Sequence, residues 1–420
     1  MTHPQLKRLK IHRYEEFVDV PWIEFSPHEN LVLGINGAGK TRLLQLIRAV
    51  VSFNYEALLF QEFDVEFELT YLTSLDPAVI VDAHGRVRSD TSPVNDMSEL
   101  RTHRPQHPLV SRLELKTGER DAVLTSDRTG TTLTYDGKAD SVMAPPPAGY
   151  VIPWSHLFET EDPSLIAMWP GFDHFYVGED ARDFQSLSTA VRYLLGPKTL
   201  ALPEDFGNLS YGWVTTLIET LTAHRDRARE GLQFTATDVS PAARGRHNVR
   251  GLPPIGPLLA ALDAESINLR PKVVQAAKSL DCRGFEVRVK FSSGAEYSDD
   301  GLTFGQRRII VMALMLLSNA SYPALIDEID NGLHPRFVEA ALKLLSQRQS
   351  FLTSHNKLVI DYINYDSAED IRRKIHICRR DASGRQTVDT LSEAVAQEVY
   401  EKISVGIMHP SDVLRVEGLW

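Results

Sequence analysis

The chain has 420 residues, 43% of them hydrophobic and 24% charged, with a formal net charge of -11. That balance belongs to an ordinary globular protein of two or three domains, or of one domain with a large insertion. It excludes a bilayer span, since no apolar run approaches the roughly 18 residues required, a disulfide framework, since Cys282 and Cys378 are the only cysteines, and a broadly basic nucleic-acid binder. Lys7, Arg8 and Lys10 are followed by no apolar stretch, so no secretory signal is expected. Together with the sparse cysteines this points to a cytoplasmic location.

Residues 7–33 read as two short strands, carrying Leu9, Ile11, Phe17, Trp22, Ile23 and Phe25, and then a buried strand, Leu31–Leu33, that ends at a glycine. From Thr41 to Val51 the spacing of Leu43, Leu44, Leu46, Ile47 and Val50 predicts an amphipathic helix. From about 52 to 150 the period changes to two. Phe63, Val65, Phe67 and Leu69 alternate with acids, and short runs at Leu113–Leu115, Val123–Leu124 and Thr131–Tyr135 lie between turn signals. An antiparallel β subdomain is expected there, with loops at Arg101–His107 and Ala144–Pro147.

Residues 151–280 read as mainly helical. One helix is expected around Trp213–Leu221, another around Leu258–Leu262, and a loop at Ser240–Pro254. No heptad pattern persists, so long coiled-coil arms are not expected. Beyond 285 the pattern returns to α/β: strands at Phe285–Phe291, Ala324–Ile326 and Phe351–Thr353, and helices at Gly305–Leu317, Phe337–Leu345 and Glu393–Ile403.

Four segments carry chemistry. Gly34-Ile35-Asn36-Gly37-Ala38-Gly39-Lys40-Thr41 matches G-x-x-x-x-G-K-[ST], between a buried strand and a helix. Glycines let backbone N–H groups close around phosphates, and the helix N-terminus favours their charge. Lys40 is placed to contact the β- and γ-phosphates and the Thr41 hydroxyl to ligate Mg²⁺. Asp327 and Glu328 end an apolar strand, where ligands of α/β sheets sit. Asp327 suits Mg²⁺, and Glu328 suits orienting and deprotonating a water. Thr303-Phe304-Gly305-Gln306 fits a capping box opening a helix, and a capped N-terminus with a glycine is also an anion site. His355 follows a strand 28 residues after Asp327 and suits a contact to the γ-phosphate.

In order, these segments resemble the Walker A, signature, Walker B and switch-histidine motifs of ABC-type ATPases. The resemblance is closest to the SMC, RecF and OLD-like branch, through Gly34-Ile35-Asn36-Gly37 and through Ile329-Asp330-Asn331-Gly332-Leu333-His334-Pro335 after the acidic pair. It covers about 1–70 and 285–360. It implies an ATPase head of α/β class with three parts. Residues 1–150 would form an N-terminal lobe with Walker A and the antiparallel β subdomain. Residues 151–284 would be a mainly helical insertion. Residues 285–420 would form a C-terminal lobe with signature, Walker B and switch histidine.

It also implies ATP and Mg²⁺ as ligands, and a head-to-tail homodimer in which Thr303, Phe304, Gly305 and Gln306 of one copy face the nucleotide held by Gly34, Asn36, Gly37, Ala38, Gly39, Lys40 and Thr41 of the other. Higher oligomers built from such dimers are compatible. Thr303 and Phe304 stand where Ser and Gly are common, His334 stands at a position commonly held by Asp, and Gln61 is the candidate for the Q-loop glutamine.

Standalone members of this kind resemble ATPase components of bacterial anti-phage systems, among them Septu, retron-associated and PARIS-type systems. There the ATPase controls a separate effector, often a nuclease. Residues 356–420 are too few for a TOPRIM nuclease of the kind many OLD-like proteins carry. The alternatives are a DNA-repair or chromosome-handling ATPase coupled to nucleic acid, a transporter motor, and a slow scaffold. The long stretch from 52 to 300 speaks against the motor, and no membrane partner is expected. Two basic clusters, Arg372-Arg373-Lys374 with Arg379-Arg380, and Arg244, Arg246 and Arg250, offer phosphate contacts or simply solvated charge. His103 and His107, with Pro105 between them, make no expected metal site.

Overall fold

The computed structural model describes residues 5–72, 80–90, 109–117, 120–127, 130–135, 138–143, 175–177, 200–201, 232–235, 256–275, 280–318, 323–346 and 348–418. In chain order the strands are β1 (Gln5–Tyr14), β2 (Phe17–Glu24), β3 (Glu29–Leu33), β4 (Phe63–Leu72), β5 (Ile80–Ser89), β6 (Leu109–Thr117), β7 (Arg120–Asp127), β8 (Gly130–Tyr135), β9 (Lys138–Met143), β10 (Phe175–Val177), β11 (Leu200–Ala201), β12 (Leu232–Thr235), β13 (Ala264–Gln275), β14 (Leu280–Phe291), β15 (Glu296–Ser298), β16 (Ala324–Ile326), β17 (Ser350–Thr353), β18 (Ile375–Arg380) and β19 (Gln386–Thr390). The helices are α1 (Lys40–Val51), α2 (Gly256–Leu262), α3 (Phe304–Ser318), α4 (Pro335–Leu345), α5 (Lys357–Tyr362), α6 (Ala368–Lys374), α7 (Glu393–Ser404) and α8 (Pro410–Val416).

The chain divides into two compact units. One is Met1–Tyr176 with Ser321–Asp327 and Arg348–Trp420; the other is Val177–Ala320 with Glu328–Gln347. The segment 285–420 therefore contributes to both, and the division falls between Asp327 and Glu328.

The first unit is built on one sheet, which runs in the order β10-β16-β17-β3-β18-β19-β2-β1-β4-β5-β6-β7-β8-β9. At one end β16, β17, β3 and β18 run parallel. Their short sequences, Ala-Leu-Ile, Ser-Phe-Leu-Thr and Glu-Asn-Leu-Val-Leu, are buried at every position, as expected of parallel strands covered on both faces. The register pairs Ile326 with Leu352 and Thr353 with Val32, so Asp327, Thr353 and Gly34 emerge together at the carboxyl ends. From β1 through β9 the pairing is antiparallel, the β subdomain that the period-two pattern predicts. There Val65, Phe67, Val81, Ala83, Val87, Leu113, Leu115, Leu124 and Leu133 point into one core with Leu43, Leu46, Ile47 and Val50 of α1.

Polar hubs tie the parallel strands to one another and to β1. Gln349 accepts from Leu6 N–H at 2.7 Å and donates to Leu6 and Ser26 carbonyls. Asn30, fully buried, donates to the carbonyls of Ser26, His28 and Ser350. Each satisfies main-chain groups that the local ladder leaves open.

The second unit holds a smaller antiparallel sheet, β11-β14-β13-β12 with β15 beside β14, and a group of mutually packed helices, α2, α3 and α4. Here the expectation for 151–284 needs correction over the described residues. Apart from α2, they are strands, dominated by the β13–β14 hairpin. Pro271 disguised the strand in the sequence, because it cannot donate to a ladder. The register shift between Pro271 and Val273 accommodates it as a bulge. The expected helix at Trp213–Leu221 and the loops at 101–107, 144–147 and 240–254 lie outside the described residues, as do His103, His107, Arg244, Arg246 and Arg250.

Candidate functional site

In the first unit, β3 delivers the chain into the loop Gly34–Gly39, and α1 begins at Lys40. Gly37 and Gly39 hold φ of +79° and +98°, the left-handed region that only glycine enters freely. Gly39 caps α1 with no side-chain hydrogen bond, and a helix N-terminus of this kind favours an anion. Ile35, Asn36 and Gly37 are exposed, and Ala38 is buried. Lys40 is almost entirely buried, its Nζ donating to the carbonyls of Gly34 at 2.9 Å and Ile35 at 3.2 Å. The lysine thus lies along its own loop, held by acceptors that a phosphate can replace.

Asp327 is fully buried at the end of β16. Thr41 Oγ1 donates to its Oδ2 at 2.7 Å, across 286 residues of sequence. On the other side Thr353 Oγ1, at the end of β17, donates to Oδ1 at 2.5 Å. A hydroxyl and a carboxylate in contact beside a phosphate loop are the hard oxygen donors that suit Mg²⁺. His355, two residues beyond Thr353, is exposed. Asn356 caps the next helix, accepting from Leu358 N–H at 3.0 Å, so the turn that carries His355 is anchored.

In the second unit the segment Thr303–Gln306 is a formed capping box. Gln306 N–H donates to Thr303 Oγ1 at 3.3 Å, and Thr303 N–H donates to Gln306 Oε1 at 2.9 Å. Phe304 lies 47% exposed over Gly332. A Cβ on Gly332, whose φ is +69°, would fall 2.5 Å from the Phe304 ring; one on Gly305 would fall 2.8 Å from the Gly332 carbonyl. The turn Thr303–Gln306 and the turn Glu328–His334 are therefore packed glycine against glycine. Glu328 itself holds a φ of +48°. Its carbonyl accepts from Arg308 Nη2 at 2.7 Å, and its carboxylate accepts from Asn331 Nδ2 at 3.1 Å. His334 caps α4, accepting from Arg336 N–H, with Pro335 in the first helical position.

Gln61 closes a turn, its N–H donating to Leu58 carbonyl at 3.0 Å. Four members of the late basic cluster are paired with acids of their own surroundings, and Arg380 donates to the Gly384 carbonyl. Arg372 and Arg373 reach Glu369 at 3.0 and 2.9 Å, the nearly buried Lys374 reaches Asp370 at 2.8 Å, and Arg379 reaches Asp389 at 3.1 Å. Among the described residues no group of histidine, cysteine, aspartate and glutamate side chains forms a metal cluster, and no helix is long and apolar enough to cross a membrane.

Sequence reasoning overlooked Thr353, Arg308 and Gln386. Thr353 ends the strand expected at Phe351–Thr353, two residues before His355, which was a signal; the other two carry none, since only folding brings them to the segments they serve. Gln386, on β19, donates to the Gly37 carbonyl at 3.0 Å. On the neighbouring strand β18, where Cys378 pairs with Val388, burial pushes the Cys378 thiol up to about 12, against the opposing charge of Lys40.

No protein-family model and no curated protein matches the chain. Solved structures similar to it include an Smc head bound to the C-winged helix domain of ScpA, 11% identical, with 92% of this chain and 98% of that chain covered and a TM-score of 0.45. An Smc head with an extended coiled coil, bound to the C-terminal domain of ScpA and derived from Pyrococcus furiosus, is 12% identical, with 96% and 100% covered and a TM-score of 0.44. The recombination mediator protein RecF is 12% identical, with 93% and 99% covered and a TM-score of 0.35.

Proposed function

We propose that this chain is an ABC-type ATPase whose ATP-dependent dimerisation switches a separate effector. The observation that carries the ATPase reading is the Thr41–Asp327 contact beside Lys40. It joins a phosphate loop to an acidic strand end within one unit. Thr41 and Asp327 would hold Mg²⁺, which when bound neutralises charge on the β- and γ-phosphates. Gly34, Asn36, Gly37, Ala38 and Gly39 would supply the backbone cradle, with Lys40 on the γ-phosphate.

Glu328 would orient a water and take its proton as the water oxygen attacks the γ-phosphorus; the bond to the ADP oxygen breaks and inorganic phosphate leaves. His355 would contact the γ-phosphate. Thr303, Phe304, Gly305 and Gln306 of a second copy would close over the nucleotide. What supports that closing surface is the half-exposed Phe304 on a capped helix N-terminus, available to an anion brought by a partner.

The test compares wild type with Glu328→Gln and Lys40→Ala. Glu328→Gln should keep ATP affinity and lose turnover by a hundredfold or more, roughly the worth of a general base, and should trap an ATP-bound dimer seen by light scattering. Equal turnover would remove Glu328 from the chemistry. An effector such as a nuclease, as in anti-phage systems, is the partner to seek by copurification. The second reading, a DNA-repair or chromosome-handling ATPase, predicts turnover stimulated by DNA and weakened by salt.

A further inference from the structure

The four sequence motifs give no part to the C-terminal hairpin of β18 and β19, yet that hairpin forms the floor of the phosphate loop. Gln386 opens β19 and is 2% exposed. Its main-chain N–H donates to the Glu16 carbonyl at 2.8 Å, setting it beside Phe17. Its Nε2 donates to the Gly37 carbonyl at 3.0 Å, across 349 residues. Its Oε1 accepts no hydrogen bond among the described residues. That oxygen abuts Gly39, where an added Cβ would lie 2.4 Å from it and 2.7 Å from the Phe17 ring. At the loop's other end a Cβ on Gly34 would lie 2.4 Å from the Cys378 carbonyl of β18.

A trans peptide points its C=O and its N–H in opposite directions. Holding the Gly37 carbonyl toward the hairpin therefore turns the N–H of the same peptide, that of Ala38, toward the inside of the loop. There it donates to the Ile35 carbonyl at 3.2 Å, an acceptor it shares with Lys40 Nζ at 3.2 Å. Two donors converge on one carbonyl oxygen, each at a long distance, which is the arrangement a phosphate oxygen would relieve.

The buried Oε1 adds a second point. An unpaired buried amide oxygen is unfavourable, and an apolar side chain of similar length would fill the space without it. Packing alone thus gives no reason for glutamine here, whereas a donor to Gly37 does.

We infer that Gln386 is a positioning residue for phosphate binding, which orients the Gly37–Ala38 peptide so that the Ala38 N–H faces the bound nucleotide. The inference rests on the nucleotide-binding reading above. Glutamine suits the task because it donates without adding charge beneath an anion site.

The experiment uses the full chain, a fluorescent ATP analogue with Mg²⁺ and parallel thermal melts, for wild type, Lys40→Ala, Gln386→Met and Gln386→Glu. Gln386→Met loses the donor and the unpaired oxygen together, so its Tm should stay near wild type while affinity falls roughly five- to tenfold, the worth of one hydrogen bond. Gln386→Glu adds a pH signature. When protonated its carboxyl donates to Gly37 as the amide does; when ionised it cannot donate and places a negative charge under the loop. Its affinity should fall from about pH 5.5 to pH 8, more steeply than that of wild type. Unchanged affinity in Gln386→Met, a loss that merely follows a drop in Tm, or a Gln386→Glu profile parallel to wild type would each overturn the inference. Binding indifferent to Lys40→Ala would instead sink the phosphate-loop reading, and this inference with it.

Discussion

Asp327 has two carboxylate oxygens, and a threonine hydroxyl donates to each: Thr41 from the helix after the loop and Thr353 from the adjacent strand. If Thr41 transfers to a metal, Thr353 still holds the carboxylate from its other oxygen. Thr353→Val keeps the shape of the side chain and removes that donor from a fully buried site. Stability should fall by about 1–3 kcal/mol, the cost of an unsatisfied buried acceptor, as measured by urea unfolding. Activity should need more Mg²⁺ to reach its maximum. Glu328 shows a different residue-scale tension. A residue with a Cβ held at φ +48° is strained by roughly 1–3 kcal/mol, and such strain gathers at functional positions. Glu328→Asn, which tolerates this backbone better, should melt at a higher temperature than wild type and hydrolyse no ATP. A melt unchanged from wild type would show that the backbone there is not strained.

At the scale of elements, agreement and disagreement with the sequence have separate causes. Helices α1, α3, α4 and α7 match their expected spans to within two residues, because each carries its own apolar face and its own start signal: Gly39, the Thr303–Gln306 box, His334–Pro335 and Ser392. Strand β13 was hidden because its pattern is interrupted by Pro271, and the interruption is repaired only by pairing with β14, whose second half was expected as the strand Phe285–Phe291. Strands β18 and β19 were also missed. Ile375–Arg380 ends in arginines and reads as a solvated basic stretch until β3 buries its first half. One element contact bears directly on function. Gly332→Ala would strain a left-handed residue and drive a methyl into Phe304. It should cost at least about 1 kcal/mol and displace the signature turn. Nucleotide binding by the isolated protomer should survive, since the phosphate loop belongs to the other unit. Turnover should not.

At the scale of the whole molecule, stability should depend on acid through His376. Burial pushes its imidazole down to about 4, from an ordinary value of 6.5. It is fully buried, against the Phe25 ring and near Asn30, so the folded chain holds it neutral. The unfolded chain protonates it below 6.5, so the unfolded state then binds the extra proton. The stability from this group is therefore fully present above 6.5. It is lost as pH falls from 6.5 toward 4, at up to about 1.4 kcal/mol per pH unit. Denaturant midpoints taken from pH 7.5 to pH 5 should fall in wild type, and fall less in His376→Met. Parallel curves would mean that other groups carry the acid sensitivity.

The sequence by itself determined the chemistry available to this protein. A glycine loop before a lysine and threonine, an acidic pair at a strand end, and a capped glycine turn are local patterns whose meaning lies in adjacent residues. It determined the helices for the same reason, since amphipathic spacing and caps are properties of a single segment. Only the tertiary structure decided which atoms meet: Thr353 with Asp327, Arg308 with the Glu328 carbonyl, and Gln386 with the phosphate loop. Those contacts join residues 20 to 349 positions apart. They follow from the register of parallel strands, the placing of a hairpin and the packing of α3 against the turn after β16, which no single segment encodes, so the residues that position the site could be found only once the chain was folded.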